Sequence, residues 1–464
     1  MTATSRGGAT GSAAPRAAIP PLAGLFGYAE ASRPGLSVAE SAQRLWRLAY
    51  AYRRLHAIAV DALPRTPEWE VKCALGLHVW LDAEHAAALG QRVNELRHPS
   101  VDVGTAPDPA LAGAFDELAH ARDTGELLAA GYIVVRGALV DALSAYLETA
   151  NLLADHPSVR IVEAALRDAQ RALAWGRAAA DAVPVEGTWP DTIAGLLAAA
   201  GGLLGDAEPR LAPPVLRSAA GPPAPDRVVR RDERFGDIYN QSALIDAYCD
   251  DEERPADERA YALAYKRLRE MDVPEWMSPI ISESGDQPFE RRRELSRQLW
   301  DETRHAMMGQ VALERQGVPF HSFPIEVQGS MALNTRFTPR EAHLLLWVIE
   351  QDLMAAATGK KHELEVAALH GDALLMTFQD FDWADEVLHA RTGRRWIVAE
   401  FPGRAEAEVA ARDVWRRYDE VAAELAQRSE QAEWWPDFLA AMRAGVSRPR
   451  GAGSRQSPRP ARGR

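Results

Sequence analysis

Two segments of the sequence, DETRHAMMG from Asp301 to Gly309 and DEVLHARTG from Asp385 to Gly393, share five of their nine positions. Asp, Glu, His, Ala and Gly recur in the same order and at the same spacing. In a helix, a Glu and a His three residues apart lie on one face, about 60° around the axis and about 4.5 Å along it. The small Ala and Gly one turn further on leave room for a close backbone or a bound group. The repeat therefore predicts two helices that face each other across one site.

The rest of the sequence predicts an all-α protein. Apolar residues recur at helical spacing, and the long alternating runs that are typical of strands are absent. At 464 residues the chain exceeds the usual size of one hydrophobic core. Long helical segments with short connections occur in residues 36–200 and again in 236–444, which predicts two four-helix bundles in tandem. Residues 201–235, rich in Pro and Gly, are predicted to be the linker, and residues 1–35 and 445–464 to be disordered tails.

Composition argues against several partners. The net charge of -13 makes nucleic acids and anionic membranes poor partners. The arginine-rich segment 445–464 is interpreted as a solubilising end, because Gly, Pro and Ser interrupt it. Only Cys73 and Cys249 are present, which indicates neither a disulfide framework nor a thiolate metal site. No signal peptide and no run of eighteen apolar residues is recognisable. We therefore expect a cytoplasmic monomer or homodimer.

The repeated Glu-x-x-His pairs gain meaning from two further carboxylates, because a lone pair of this kind arises by chance in a chain of this composition. A dinuclear metal site in a helical bundle needs one Glu from each of two helices and a Glu-x-x-His pair from each of the other two. Glu270 precedes the first pair by 32 residues, and Glu350 precedes the second by 36. Either distance fits two antiparallel helices of about sixteen residues and a turn. Asp272 and Glu275 remain alternatives to Glu270.

Electrostatics then indicates what such an interior would bind. Four buried carboxylates without cations would each cost several kcal/mol, whereas two divalent metal ions would balance their charge. Carboxylate and imidazole ligands with open coordination positions suit iron or manganese better than zinc, so Fe/Fe or Mn/Fe pairs are expected. Asp301 and Asp385 each precede a His by four residues and could accept a hydrogen bond from the imidazole of the facing helix. Arg304 could hold one of these aspartates.

With these residues in place, residues 240–400 resemble the ferritin-like superfamily of carboxylate-bridged dinuclear metal proteins. The resemblance implies six metal ligands: Glu270, Glu302, His305, Glu350, Glu386 and His389. It implies that Asp301 and Asp385 lie just outside them. The superfamily includes oxidases, oxygenases, hydroxylases, ferroxidases and metal stores, and the resemblance does not choose among them.

The N-terminal bundle is interpreted as a degenerate copy of the second. Asp82 and His85 echo the repeat, with Asp in place of Glu. The preceding predicted helix offers no carboxylate at the matching height, and the fourth helix of this half contains no His. The sequence therefore predicts no complete metal site in residues 36–200.

The leading hypothesis is a non-haem dinuclear iron oxidase or oxygenase that uses dioxygen, and electrons from a donor, to oxidise a small organic substrate. Trp300, Trp347 and Trp383 are candidates for a substrate pocket, although tryptophans at helical spacing are more often core residues. A non-catalytic metal-binding or scaffold protein is the first alternative. A ferroxidase or metal store is the second, although a 464-residue chain fits a storage cage poorly.

Overall fold

Helices make up the regular structure of this chain. The computed structural model describes residues 19–446 except for 98–100, 103, 214, 241–244, 286, 356, 358, 429 and 431. These described residues contain no strand, which confirms the prediction of an all-α fold. Most of the two predicted tails, namely residues 1–18 and 447–464, lies outside the described residues.

The first half of the chain forms eight α-helices within the described residues. They are α1 (Tyr28–Ala31), α2 (Val38–Ala62), α3 (Trp69–Glu95), α4 (Pro109–Leu118), α5 (Thr124–Glu126), α6 (Gly137–Thr149), α7 (His156–Ala182) and α8 (Trp189–Ala199). A π-helical stretch, Leu127–Arg136, joins α5 and α6 into one long helix. Ser37 caps α2 because its side chain accepts a hydrogen bond from the backbone N–H of Glu40, whose carboxylate in turn accepts one from Ser37 N.

The second half forms ten α-helices within the same limits. They are α9 (Ile245–Asp250), α10 (Ala256–Arg269), α11 (Asp272–Ser282), α12 (Phe289–Arg315), α13 (Gln328–Arg336), α14 (Pro339–Ala355), α15 (Lys360–His370), α16 (Ala373–Trp396), α17 (Arg404–Ala426) and α18 (Trp435–Val446). Short 3₁₀ turns lie at Leu22–Gly24, Ser218–Ala220 and Val398–Glu400. The sequence favoured a single helix across α15 and α16, which is wrong. Gly371 ends α15 in the left-handed region at φ 73°, and Asp372 caps α16.

Four helices of the second half, α10, α12, α14 and α16, run up, down, down and up. Helices α12 and α16 are antiparallel, as three contacts along them show: Glu294 with Arg395, Asp301 with His389, and His305 with Asp385. Contacts between α10 and α12 show the same arrangement: Leu268 with Gly309, and Glu270 with His305. Helices α12 and α14 are parallel, as their contacts show: Arg291 with His343, and Gln298 with Glu350. The chain between α12 and α14, which includes α13, is therefore a long crossover.

The first half has the same order of directions in α2, α3, the long helix Thr124–Thr149, and α7. Contacts between α3 and α7 are antiparallel: Arg92 with Ser158, His85 with Asp168, and His78 with Trp175. Contacts between α3 and the long helix are parallel: His78 with Tyr132, and Asp82 with Arg136. Contacts between α2 and α7 are also parallel: Ser41 with Asp155, and Tyr52 with Ala165.

The two halves meet along α3 and α12, which occupy corresponding places in their own halves. Their contacts are antiparallel: Trp69 with Gln310, Gly76 with Thr303, Trp80 with Arg297, and Glu84 with Arg293. One hydrophobic cluster includes buried residues of both halves, such as Leu75 and Leu299. Helix α3 of the N-terminal half therefore packs along α12 and supports it.

One helix among the described residues, Thr124–Thr149, is long and apolar enough to cross a membrane by length and composition alone. Its apolar window is 56% buried inside the first half. The buried side chains include Leu128, Val135 and Leu143, which face the other helices of that half. This placement is compatible with a soluble protein.

Candidate metal centre

All six residues predicted as metal ligands meet at one level of the second half. They come from four helices: Glu270 from the C-terminal end of α10, Glu302 and His305 from α12, Glu350 from α14, and Glu386 and His389 from α16. Five of them are buried, and the Glu270 side chain is 14% exposed. Their ligand atoms fall into two overlapping groups, each with all atoms within 4.8 Å of one another.

The first group, called position 1 below, consists of Glu302, Glu350, Glu386 and His389. His389 Nδ1 lies 3.2 Å from Glu302 Oε1, 3.6 Å from Glu350 Oε1 and 3.2 Å from Glu386 Oε2. Gln298 donates a 3.2 Å hydrogen bond to Glu350 Oε1 and so holds that carboxylate towards the group. Position 1 therefore offers three carboxylates and one imidazole nitrogen to a single ion.

The second group, position 2, consists of Glu270, Glu302 and His305. His305 Nδ1 lies 3.5 Å from Glu270 Oε2 and 3.4 Å from Glu302 Oε2. Glu302 belongs to both positions, since Oε1 approaches His389 and Oε2 approaches His305. One carboxylate thus lies between the two positions, as a bridging ligand must.

The two aspartates of the repeat reach across to the opposite helix. His305 Nε2 lies 3.3 Å from Asp385 Oδ2, and His389 Nε2 lies 3.5 Å from Asp301 Oδ2. Arg304 donates hydrogen bonds to both aspartates. Burial opposes ionisation of Asp385, but the hydrogen bond from His305 and the charge of Arg304 outweigh it, and its pKa lies below the usual value. Each ring therefore turns Nδ1 inward, with a carboxylate facing Nε2.

A layer of charged residues that was not predicted from the sequence lies beside position 2. Asp382 Oδ1 lies 3.3 Å from His305 Nδ1, and His305, Asp382 and Glu386 form a third compact group. Lys360 Nζ lies 3.0 Å from both oxygens of Asp382 and 2.8 Å from Glu386 Oε1. Arg267 pairs with Asp382 and lies 2.8 Å from Glu270 Oε1. Asp382 precedes Glu386 by one helical turn, which was a usable signal, whereas nothing in the sequence distinguished Lys360.

Several buried atoms of the centre lack a hydrogen-bond partner among the described residues. Three of them belong to the predicted ligands of the two positions and face inward: Glu270 Oε2, Glu350 Oε2 and His305 Nδ1. Burial disfavours the charged form of His305, but Asp382, Asp385 and Glu302 outweigh it and raise its pKa to about 10. The carboxylates therefore demand positive charge, and the unpaired atoms are donors to a metal cation by their chemistry. The residues present fit a pair of metal ions.

The alternatives to Glu270 and the predicted pocket residues lie elsewhere. Asp272 accepts hydrogen bonds from Ser330, and Glu275 is buried in an ion cluster with Lys72 and Arg231. Trp347 is fully buried against Gly393, and Trp300 and Trp383 are half-buried. A cleft of about 860 Å³ between the halves is lined by none of these three tryptophans.

In the N-terminal half, a buried ion pair is formed by Asp82, the residue that takes the place of Glu in the echo of the repeat. Arg136 donates two hydrogen bonds to Asp82, at 2.9 and 2.6 Å, and both side chains are buried. His85 Nε2 lies 3.2 Å from Asp168, an arrangement like that of His305 with Asp385. Tyr52 lies beside His85, where the second half has Glu270. No compact group of metal-binding side chains occurs among the described residues of this half.

Comparison with protein-family models, with curated proteins and with solved structures finds no match for this chain.

Proposed function

We propose that this protein is a non-haem dinuclear metal oxidase or oxygenase, with iron as the expected metal, that oxidises a small organic substrate. The observation that carries the proposal is the convergence of four glutamates and two imidazoles from four helices in a buried interior. The up, down, down, up order of α10, α12, α14 and α16, with a long crossover, supports the resemblance to the ferritin-like superfamily. The same order in the first half supports two such bundles in tandem.

A pair of reduced metal ions in these positions would supply the electrons and the Lewis acidity for dioxygen activation. The chain would hold them through the six ligands of positions 1 and 2. Carboxylate and imidazole donors are hard or borderline ligands that suit iron and manganese, as Fe/Fe or Mn/Fe pairs. Zinc in a structural site prefers four ligands that include thiolates, and Cys249 is buried in a different, apolar cluster.

The surrounding residues orient the ligands and exclude water. Asp301 and Asp385 face Nε2 of the two histidines, so Nδ1 is the nitrogen that each ring would offer to a metal on giving up a proton. Arg304 connects the two aspartates and so couples the orientation of α12 to that of α16. His305 is fully buried, and Glu302 and Glu386 are about 2% exposed, so charges inside the centre act in a medium of low polarity.

The second candidate is a non-catalytic protein in which the metal only strengthens the bundle, or in which side-chain cations serve instead. The observation that favours it is the contact of Arg267 and Lys360 with the acids of the centre, because these cations neutralise part of the charge without metal. Metal storage is the third candidate. We place the protein in the cytoplasm as a monomer or homodimer, with a small-molecule substrate, dioxygen and an electron donor as partners.

Elemental analysis of protein purified without added metal tests the centre. We expect about two metal ions per chain for the wild type, and near zero for the variant that carries both Glu302→Ala and His389→Ala, because both residues are ligands of position 1 and Glu302 also belongs to position 2. Glu365→Ala is the matched control, since Glu365 is 58% exposed on α15. A wild type without metal, or ligand variants that retain it, would refute the centre.

Oxygen consumption by the ferrous protein then separates the enzyme from the scaffold. An oxidase or oxygenase consumes dioxygen in a reaction that the Glu302→Ala variant has lost, whereas a scaffold with a bound but inert metal does not. Light scattering gives the particle size, which distinguishes a monomer or dimer from a storage cage of many subunits. A closed cage that accumulates iron would refute the oxidase and favour storage.

A further inference from the structure

The two metal positions differ in the side-chain cations beside them. In position 1, Lys360 lies 2.8 Å from Glu386 Oε1, but Glu386 Oε2 faces His389, and the partners of Glu350 among the described residues are Gln298 and His389. In contrast, Glu270 of position 2 has the Arg267 guanidinium at 2.8 Å. Asp382, the acid next to position 2, has both Arg267 and Lys360 as partners. The positive charge is therefore concentrated at one end of the centre.

These two cations cannot withdraw into solvent. Arg267 is fully buried, and Lys360 is 1% exposed at the start of α15. Lys360 Nζ lies between Asp382 and Glu386 Oε1, while Glu386 Oε2 faces His389 in position 1. Asp382 and Glu386 form the third compact group with His305 of position 2, so an ion at His305 Nδ1 that also used these two carboxylates would compete with the ammonium for their oxygens.

The charge of the whole cluster indicates that a second ion binds more weakly than the first. It contains six carboxylates: Glu270, Glu302, Glu350, Glu363, Asp382 and Glu386. Three bases pair with them, namely Arg267, Lys360 and Lys266. The surplus is three negative charges when the histidines are neutral, and a first divalent ion reduces it to one. A second ion therefore enters a much weaker field.

We propose that Lys360 sets unequal affinities at the two positions, so that the centre binds its first metal ion in position 1 and its second more weakly in position 2. This inference rests on the proposed metal centre and names what controls its loading. Weak binding at one position lets a different metal enter there, so Lys360 is a selectivity residue for a mixed pair of ions. Lys360→Met removes the charge at similar length, and Lys360→Arg keeps it.

Manganese titration of the metal-free full-length protein tests the proposal. Equilibrium dialysis with elemental analysis counts the bound Mn²⁺, and electron paramagnetic resonance distinguishes an isolated ion from a coupled pair. For the wild type we expect two resolved steps whose dissociation constants differ at least tenfold, with an isolated-ion signal after one equivalent. In Lys360→Met the second step should tighten at least tenfold and the coupled signal should appear earlier. Lys360→Arg should behave as the wild type.

Lys361→Met is the matched control, because Lys361 is the next residue and its side chain is 75% exposed. It should leave both steps unchanged. Two equal steps in the wild type would overturn the inference while the metal centre stands, and this measurement needs no variant to fold. Unchanged binding in a folded Lys360→Met protein would overturn it as well. An absence of bound manganese and iron in every protein would instead refute the proposed function.

Discussion

Gly309 sets the distance between α10 and α12, and a single methyl group there should disturb one metal position only. A Cβ added at Gly309 would lie 2.1 Å from the backbone N of Leu268 and 2.5 Å from its Cα, closer than Cβ atoms approach other heavy atoms. Backbone rather than a flexible side chain is in the way, so α10 must move by about 1.4 Å to restore ordinary van der Waals contact. Leu268 is two residues before Glu270, which would move away from His305 with it.

The size of the effect follows from two opposing terms. Overpacking of this kind costs about 1–3 kcal/mol, and replacing a helical Gly by Ala returns about 0.5–1 kcal/mol. Gly309→Ala should therefore lower the free energy of unfolding by about 1–2 kcal/mol, or the melting temperature by about 1–2 °C. Because α14 and α16 are not displaced, position 1 should retain its affinity for metal, whereas binding at position 2 should weaken.

Circular dichroism melts in a chelator, followed by manganese titration, measure both effects. Gly113→Ala is the control, since Gly113 lies in α4 and no atom would lie within 4 Å of its new Cβ. This variant should be as stable as the wild type or slightly more stable. Gly393→Ala gives the reciprocal case, because its Cβ would lie 2.6 Å from Trp347 on α14, the helix of Glu350. Wild-type stability and binding in Gly309→Ala would refute the reasoning.

Two further predictions concern the N-terminal half. Arg136→Met should lower the free energy of unfolding in urea by about 3–5 kcal/mol, because Asp82 is left buried without its partner. Adding Asp82→Leu should restore most of the lost stability. A double variant as unstable as Arg136→Met alone would contradict this prediction. Burial, with Arg292 and Arg53 nearby, lowers the pKa of His56 from an ordinary 6.5 to about 3. Between these two pH values the unfolded state binds a proton that the folded state does not. The free energy of unfolding should therefore fall by up to a few kcal/mol as the pH drops from 6.5 towards 3. His56→Gln, which can still donate to Ser296, should flatten urea-unfolding free energies measured across that range, and an unchanged pH dependence would count against it.

The shared helix faces of the ligands could be predicted because they depend on helical periodicity. Glu302 and His305 share a helix face by their spacing. Glu350 also meets the second pair, but not by the predicted path of two helices and one turn, because α15 lies between α14 and α16. The positions of Asp301 and Asp385 followed from the same periodicity. These relations hold for any straight antiparallel bundle, whatever its other side chains are.

Lys360 and Arg267 could not be predicted, because their burial depends on tertiary packing rather than on local spacing. Lys360 stands beside a second lysine in a polar segment, and the next residue along, Lys361, is exposed. Which of the two points inward depends on how α15 packs against α10 and α16. One continuous helix was predicted across α15 and α16, so this packing was not predicted. The helix Trp189–Ala199 was missed for a similar reason, since it lies next to a segment rich in Pro and Gly.

The contrast between the two halves explains why we propose an ion for only one of them. In the first half, the Arg136 guanidinium cancels the charge of Asp82, and a tyrosine takes the place of the carboxylate of α10, so the interior is neutral with side chains alone. In the second half, buried acids outnumber the bases that reach them, although two of those bases, Arg267 and Lys360, are themselves buried. A fold that leaves several carboxylates uncompensated at one point loses stability unless something from outside supplies the charge. The same helix order thus holds a compensated interior in one half and a surplus of buried acids in the other, and the difference between them is the number of charges that the sequence leaves unpaired.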